Sequence, residues 1–236
     1  MKIINLVLLI DFFLIILTVS CKNCIKDSGN TVDIKRDLQP YKKLRIAGNF
    51  KVNIIHDSIQ YVNIHGDADV ISEIETNINH GELEIINSQN CIKSLQQIVI
   101  SLHTPAVEEI VVEGSGSVKT QTQLEGKLLT LKVHGSGIIN AAFYGENINC
   151  KIDGSGNISL AGKATNASHL INGSGLLNAA NLVTKKTNAQ VNGSGSIETF
   201  VDEKLDASVS GSGSIIYSGN GYDNSKIAGS GTVKKK

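Results

Sequence analysis

The 236-residue chain has no tryptophan, one methionine and two prolines, and aromatic residues make up 4% of it. So few rings exclude a large globular core and suit a thin, repetitive interior. Lysine and arginine number 22, aspartate and glutamate also 22, so the formal net charge is zero. Nucleic acid, which calls for a basic face, is excluded as a partner on that ground. The chain has no GxSxG elbow and no glycine loop opening a helix onto a phosphate. The calcium repeat GGxGxD and threonine arrays are missing too. His56, His65, His80, His103 and His169 show no ligand spacing. No metal or other cofactor is expected.

What is abundant is glycine, and it is ordered. Gly-Ser-Gly begins at Gly114, Gly135, Gly154, Gly173, Gly193, Gly211 and Gly229, at steps of 21, 19, 19, 20, 18 and 18 residues. A fixed short period is the signature of a repeat architecture. Two residues before each first glycine stand Val112, Val133, Ile152, Ile171, Val191, Val209 and Ile227. Four residues after it stand Val118, Ile139, Ile158, Leu177, Ile197, Ile215 and Val233. The two apolar columns are six residues apart, a multiple of the strand period, so an extended chain turns both to one face. Two glycines per unit also disfavour a helix, by roughly 1 kcal/mol each. A strand running straight through the tripeptide puts both glycines inward and the serine outward. A corner with glycine at positive φ is the rival geometry, and the apolar columns survive either way.

A unit of about 19 residues cannot bury its apolar face alone and must stack on its neighbours. The expected fold is all-β, a parallel β-helix whose seven coils span roughly 30–35 Å. Cys150 and His169 fall on the inward phase. Lys234, Lys235 and Lys236 place charge beside the last coil, where an open strand edge invites stacking.

The first 20 residues read as a signal peptide, with Lys2 before a mostly apolar run from Ile3 to Val19 that Asp11 interrupts. Leu17-Thr18-Val19-Ser20-Cys21 resembles a bacterial lipobox, which makes Cys21 the lipidated N-terminal residue and the membrane a partner through its acyl anchor. Residues 21–40 form the lipidated cysteine and a polar tether. Residues 41–113 form an N-terminal β region, read as degenerate coils or a capping sheet, and 114–236 the Gly-Ser-Gly β-helix. In that first region Ile46 and Val52 flank Gly48 with the spacing of the repeat, as Ile64 and Val70 flank Gly66, while the stretch from Asp67 to Thr76 suits a short helix or irregular turn. Cys24 and Cys91 are able to pair in an oxidising compartment.

Leu44-Arg45-Ile46-Ala47-Gly48-Asn49-Phe50-Lys51-Val52 resembles the opening of the head GIN domain of auto-transporter adhesins. Gly66-Asp67-Ala68 and Ile74 to Ile85 resemble its next segment. The run from Ile98 through Pro105 and Ile110 to Gly114-Ser115-Gly116 is similar to its strand, proline and first Gly-Ser-Gly. The resemblance covers residues 42–218. It implies a β-helical domain on secreted or lipid-anchored proteins of Gram-negative bacteria, and brings no catalytic motif.

Three functional readings follow. The first is an envelope-anchored, non-enzymatic adhesion or binding module. Its candidate surface is the ladder of Ser115, Ser136, Ser155, Ser174, Ser194, Ser212 and Ser230, a row of hydroxyls one coil apart facing glycans or surface proteins. The second is a structural envelope protein that binds another protein or itself; in either case the expected location is the cell envelope, lipid-anchored at the outer membrane, periplasmic or surface-facing. The third is a carbohydrate-active enzyme using the row Glu113, His134 and Asp153, although outward polar residues are expected there in any case.

Overall fold

A computed structural model describes residues 24–88, 92–93 and 97–236. Residues 1–20, Cys21 and Cys91 lie outside the described residues. The short strands β1 (Ile25–Lys26) and β8 (Ile92–Lys93) pair with each other in parallel, Ile25 opposite Ile92. These residues follow Cys24 and Cys91 in the sequence; Cys24 is disulfide-bonded.

The repeat alignment is the register of the molecule. From β10 (Glu109–Gly114) and β11 (Ser117–Thr120) the chain climbs through β12 (Leu124–Gly135), β13 (Ile138–Gly154), β14 (Asn157–Gly173), β15 (Leu176–Gly193) and β16 (Ser196–Gly211). It ends in β17 (Ser214–Ser218), β18 (Tyr222–Gly229) and β19 (Thr232–Lys235). All of these pair in parallel. Val112 lies opposite Val133, then Ile152, Ile171, Val191, Val209 and Ile227 in succession. The second column stacks likewise from Val118 to Val233. Both columns are fully buried until the last coil. Like-on-like stacking of branched aliphatic residues fills most of the interior, with Phe143 and Tyr217 among the few rings buried in it. Cys150 is a buried free thiol and His169 is buried, both on the expected inward phase.

The tripeptide is a corner, which corrects the straight-strand reading. Each first glycine has positive φ, from 87° at Gly114 to 129° at Gly154 and Gly193, and faces outward. The strands stop there and resume after the second glycine. Hydrogen bonding nonetheless continues through the corner: Ser136 N–H donates to Gly114 O and Ile138 N–H to Gly116 O, at 2.9 and 3.0 Å, and the pattern recurs up the stack. The second glycine does point inward. A Cβ on Gly137 would fall 2.6 Å from Val112 Cγ1, and one on Gly195 2.7 Å from Ile171 Cγ2. The branched residue of one coil therefore occupies the space that the glycine of the next leaves open. The two halves of the motif require each other.

Coil stacking extends below residue 109. Here β3 (Lys43–Ala47) and β4 (Lys51–His56) turn at Gly48, and Ile46 stacks on Val112 and Val52 on Val118. Beneath them lie β7 (Glu82–Asn87) and β9 (Val99–Thr104), so the spatial order of coils departs from chain order. Below these the sheets end in antiparallel strands: β2 (Thr31–Asp37) on β5 (Tyr61–Asp67), β5 on β9, and β6 (Ile74–Asn79) on β7. Gly66 therefore marks no coil. It lies inside antiparallel β5, and Val70 belongs to α1 (Ala68–Ser72), which Asp67 caps by accepting from Asp69 N–H. Val70 and Ile71 close this end of the core.

Candidate functional site

The seven serines of the tripeptide stand one per coil along the corner, and all seven are exposed. Their backbone amides stack, Ser155 N–H onto Gly135 O and Ser174 N–H onto Gly154 O at 2.9 Å each. None of their hydroxyls makes a hydrogen bond among the described residues. They form a ridge rather than a flat row in mid-sheet, because the positive φ of the preceding glycine turns the chain at that point.

Beside the ridge, the residue before each first glycine forms a second outward column: Glu113, His134, Asp153, Asn172 and Asn192 in register. Here the side chains bond to one another. His134 Nδ1 lies 3.1 Å from Asp153 Oδ2, and Lys151 Nζ reaches the same oxygen at 2.8 Å. Asn172 donates to Asp153 Oδ1 at 2.7 Å, and Asn192 to Asn172 Oδ1 at 2.9 Å. Burial works to raise the Asp153 carboxyl, but Lys151, Asn172 and His134 outweigh it and hold it below the usual carboxylate value. An acid held ionised in this way is a poor proton donor. Glu113 turns the other way, to Arg45 at 3.0 Å, and Arg45 also reaches Glu84 at 3.3 Å. The structure thus joins His134 to Asp153 and commits Glu113 to a separate ion pair. Among the described residues no group of three or more histidine, cysteine, aspartate or glutamate side chains is placed to hold a metal ion.

Sequence reasoning missed the hollows at the N-terminal end, because the loops that form them come from four separate places in the chain. One of them, about 480 Å³, includes Pro40, Tyr41, Gln60, His80, Pro105 and Ala106 in its lining. A second cluster joins Asp57, Tyr61 and His103. The Tyr61 ring stacks on His103 at 4.1 Å, and His103 Nδ1 lies 3.1 Å from Asp57 Oδ2.

No curated protein matches the chain. Solved structures do. A putative adhesin from Bacteroides fragilis superposes with a TM-score of 0.84 at 21% identity, over 90% of this chain and 100% of its own. A putative adhesin from Parabacteroides distasonis gives 0.77 at 21% identity, over 91% and 100%. A putative lipid binding protein from the same organism gives 0.75 at 22%, also over 91% and 100%. At these identities the likeness establishes the β-solenoid fold. The family match spans residues 40–221, most of the chain: the protein belongs to the family described as putative auto-transporter adhesin, head GIN domain.

Proposed function

We propose that the protein is a non-enzymatic binding module of the bacterial cell envelope, anchored through a lipid on Cys21 after removal of residues 1–20, and that it engages glycans or surface proteins along its serine ridge. One observation carries this reading. The serine is the same in all seven copies, yet the fold makes no use of its hydroxyl, whereas both glycines and the branched columns are needed for packing. A row of unengaged hydroxyls at the coil spacing of about 4.8 Å suits a partner that repeats on the same scale. The family name, and the binding roles named for the structural neighbours, point the same way.

The test is binding of the chain to a glycan and matrix-protein array, beside Ser155→Lys/Ser174→Lys. Both serines are exposed, so the variant is expected to fold and to lose binding. Equal binding by both proteins removes the ridge from recognition. The second reading, a structural partner protein, draws on the last coil, where Tyr222 and Ile227 are exposed. It predicts a co-purifying envelope protein and no glycan signal.

A further inference from the structure

Two buried polar side chains sit together in mid-stack, and surface binding uses neither. Cys150 lies opposite His169 in the parallel register of β13 on β14. Both point inward, Cys150 3% exposed and His169 1% exposed. Cys150 is a free thiol. Among the described residues neither ring nitrogen of His169 has a hydrogen-bond partner, so the thiol one coil below does not satisfy it.

Around the pair the core is apolar. Leu131 precedes Cys150 in this column, and Ala189 follows His169. Ile148 and Ile152 flank the thiol along its strand, as Ala167 and Ile171 flank the ring, and all are buried. Buried polar groups are almost always hydrogen-bonded, and each exception calls for a reason. Filling space does not supply one, because leucine or methionine would do so without two orphaned nitrogens. Burial lowers the His169 pKa to about 4, so at neutral pH the ring is uncharged and one nitrogen offers a lone pair. Burial pushes the Cys150 thiol up, so alone it stays protonated.

The donor set is one soft sulfur and one imidazole nitrogen. Among the described residues no group of three or more histidine, cysteine, aspartate or glutamate side chains is placed to complete a zinc shell. Two ligands of this kind suit a soft ion of low coordination number. Charge selects further. A thiolate and a monovalent cation sum to zero, whereas a divalent ion would leave a net charge in an apolar interior. Length fits as well. Metal–sulfur and metal–nitrogen bonds are each about 2 Å long. A straight bridge therefore spans roughly 4–4.5 Å, close to the coil step of about 4.8 Å.

We propose that Cys150 and His169 form a two-coordinate site for a soft monovalent cation with a filled d shell, copper(I) or silver(I), held between adjacent coils. On binding, the sulfur–hydrogen bond breaks, its proton leaves to solvent and a sulfur–metal bond forms. One His169 nitrogen donates its lone pair and loses no proton. The site is separate from the serine ridge and does not depend on the adhesion reading.

The test is silver(I) binding in chloride-free buffer at pH 7. The ion is added as the chain refolds from urea, so that burial does not bar its entry. Cys150→Ala/His169→Leu gives the baseline for silver held elsewhere. The native chain should hold one further equivalent, release one proton for it and melt at a higher temperature with it. X-ray absorption of that equivalent should show one sulfur and one nitrogen neighbour. His169→Leu keeps the thiol and, without silver, should melt no lower than the native chain at pH 7, yet it should hold the ion roughly a hundredfold more weakly. The proposal is overturned if no equivalent is held beyond the baseline, if the spectrum shows sulfur without nitrogen, or if His169→Leu holds silver as tightly as the native chain.

Discussion

The two ends of the solenoid solve the same problem differently. At the N-terminal end the stacked interior is closed: α1 lays Val70 and Ile71 across it, and antiparallel strands replace further coils. Arg36 fastens this cover from β2, donating to Ile74 O at 2.6 Å and to Ile71 O at 3.3 Å. At the C-terminal end nothing comparable is present among the described residues. Ile227 holds the same column position as Val191, but it is 49% exposed where Val191 is wholly buried. Lys236 is drawn back onto Glu198 at 3.0 Å, and Lys235 stands over the Tyr217 ring. A repeat residue therefore owes its burial to the coil above as much as to the one below. Column identity alone does not make a core position.

The sharpest way to break this comparison is to put the same charge at both places. Val191→Asp buries an unpaired carboxylate in mid-stack and should cost on the order of 4 kcal/mol or more. Ile227→Asp should cost less than about 1 kcal/mol. Urea unfolding of both variants measures the difference, and equal losses would mean that the last coil is covered after all.

His169 tests the middle of the stack without adding a charge by mutation. Burial lowers its pKa from 6.5 to about 4, and a weak pull from the Ser168 backbone, outside hydrogen-bond geometry, only partly offsets this. Between those values the unfolded chain binds a proton that the folded chain does not. Stability should therefore fall as pH drops from 6.5 towards 4, by about 3 kcal/mol from this residue. His169→Leu should flatten that part of the pH profile.

Gly175→Ala places a methyl 2.6 Å from Ile152 Cγ2 and 2.8 Å from Gly156 O, where both neighbours are fixed by stacking. A loss of roughly 1–3 kcal/mol is expected in thermal or urea melts. Gly81, at the edge of the capped end, meets nothing within 4 Å, so alanine there suffers backbone strain alone.

The smallest effect is local to the cap. Asp67 accepts from Gly29 N–H at 2.8 Å, Ser28 Oγ at 3.0 Å and Asp69 N–H at 3.1 Å. Burial works to raise its pKa, but these donors outweigh it and hold the carboxyl below its ordinary 3.8. Its contribution is complete above that value and is lost as pH falls below it through the depressed folded pKa. Asp67→Asn should speed hydrogen exchange at Gly29 and Asp69 without reaching the coils above.

Most of the coil architecture was legible before any coordinates, because the spacing of Val112, Val133, Ile152 and their successors is itself the stacking register. The direction of the Gly-Ser-Gly backbone was not. Straight strand and corner place Val112 and Val118 on the same face, so alternation cannot tell them apart. Gly66 misled for a related reason. Ile64, Gly66 and Val70 reproduce the spacing of a coil, but the Asp67 cap turns the chain into α1. The serines were legible as outward residues. The cavity at Pro40 and Pro105 was not, since residues 40, 60, 80 and 105 meet only through β2, β5 and β6, whose antiparallel pairing no repeat announces.

Hydrogen–deuterium exchange along the corner tests the central claim most directly. If coils stack through the tripeptide and only the lower end is closed, the amides of Ser136, Ser155, Ser174 and Ser194 should be strongly protected, as should those of β7 and β9. Protection should then drop sharply in β18 and β19. Fast exchange at the mid-stack serines would contradict the corner ladder, and equal protection at both ends would contradict the open last coil.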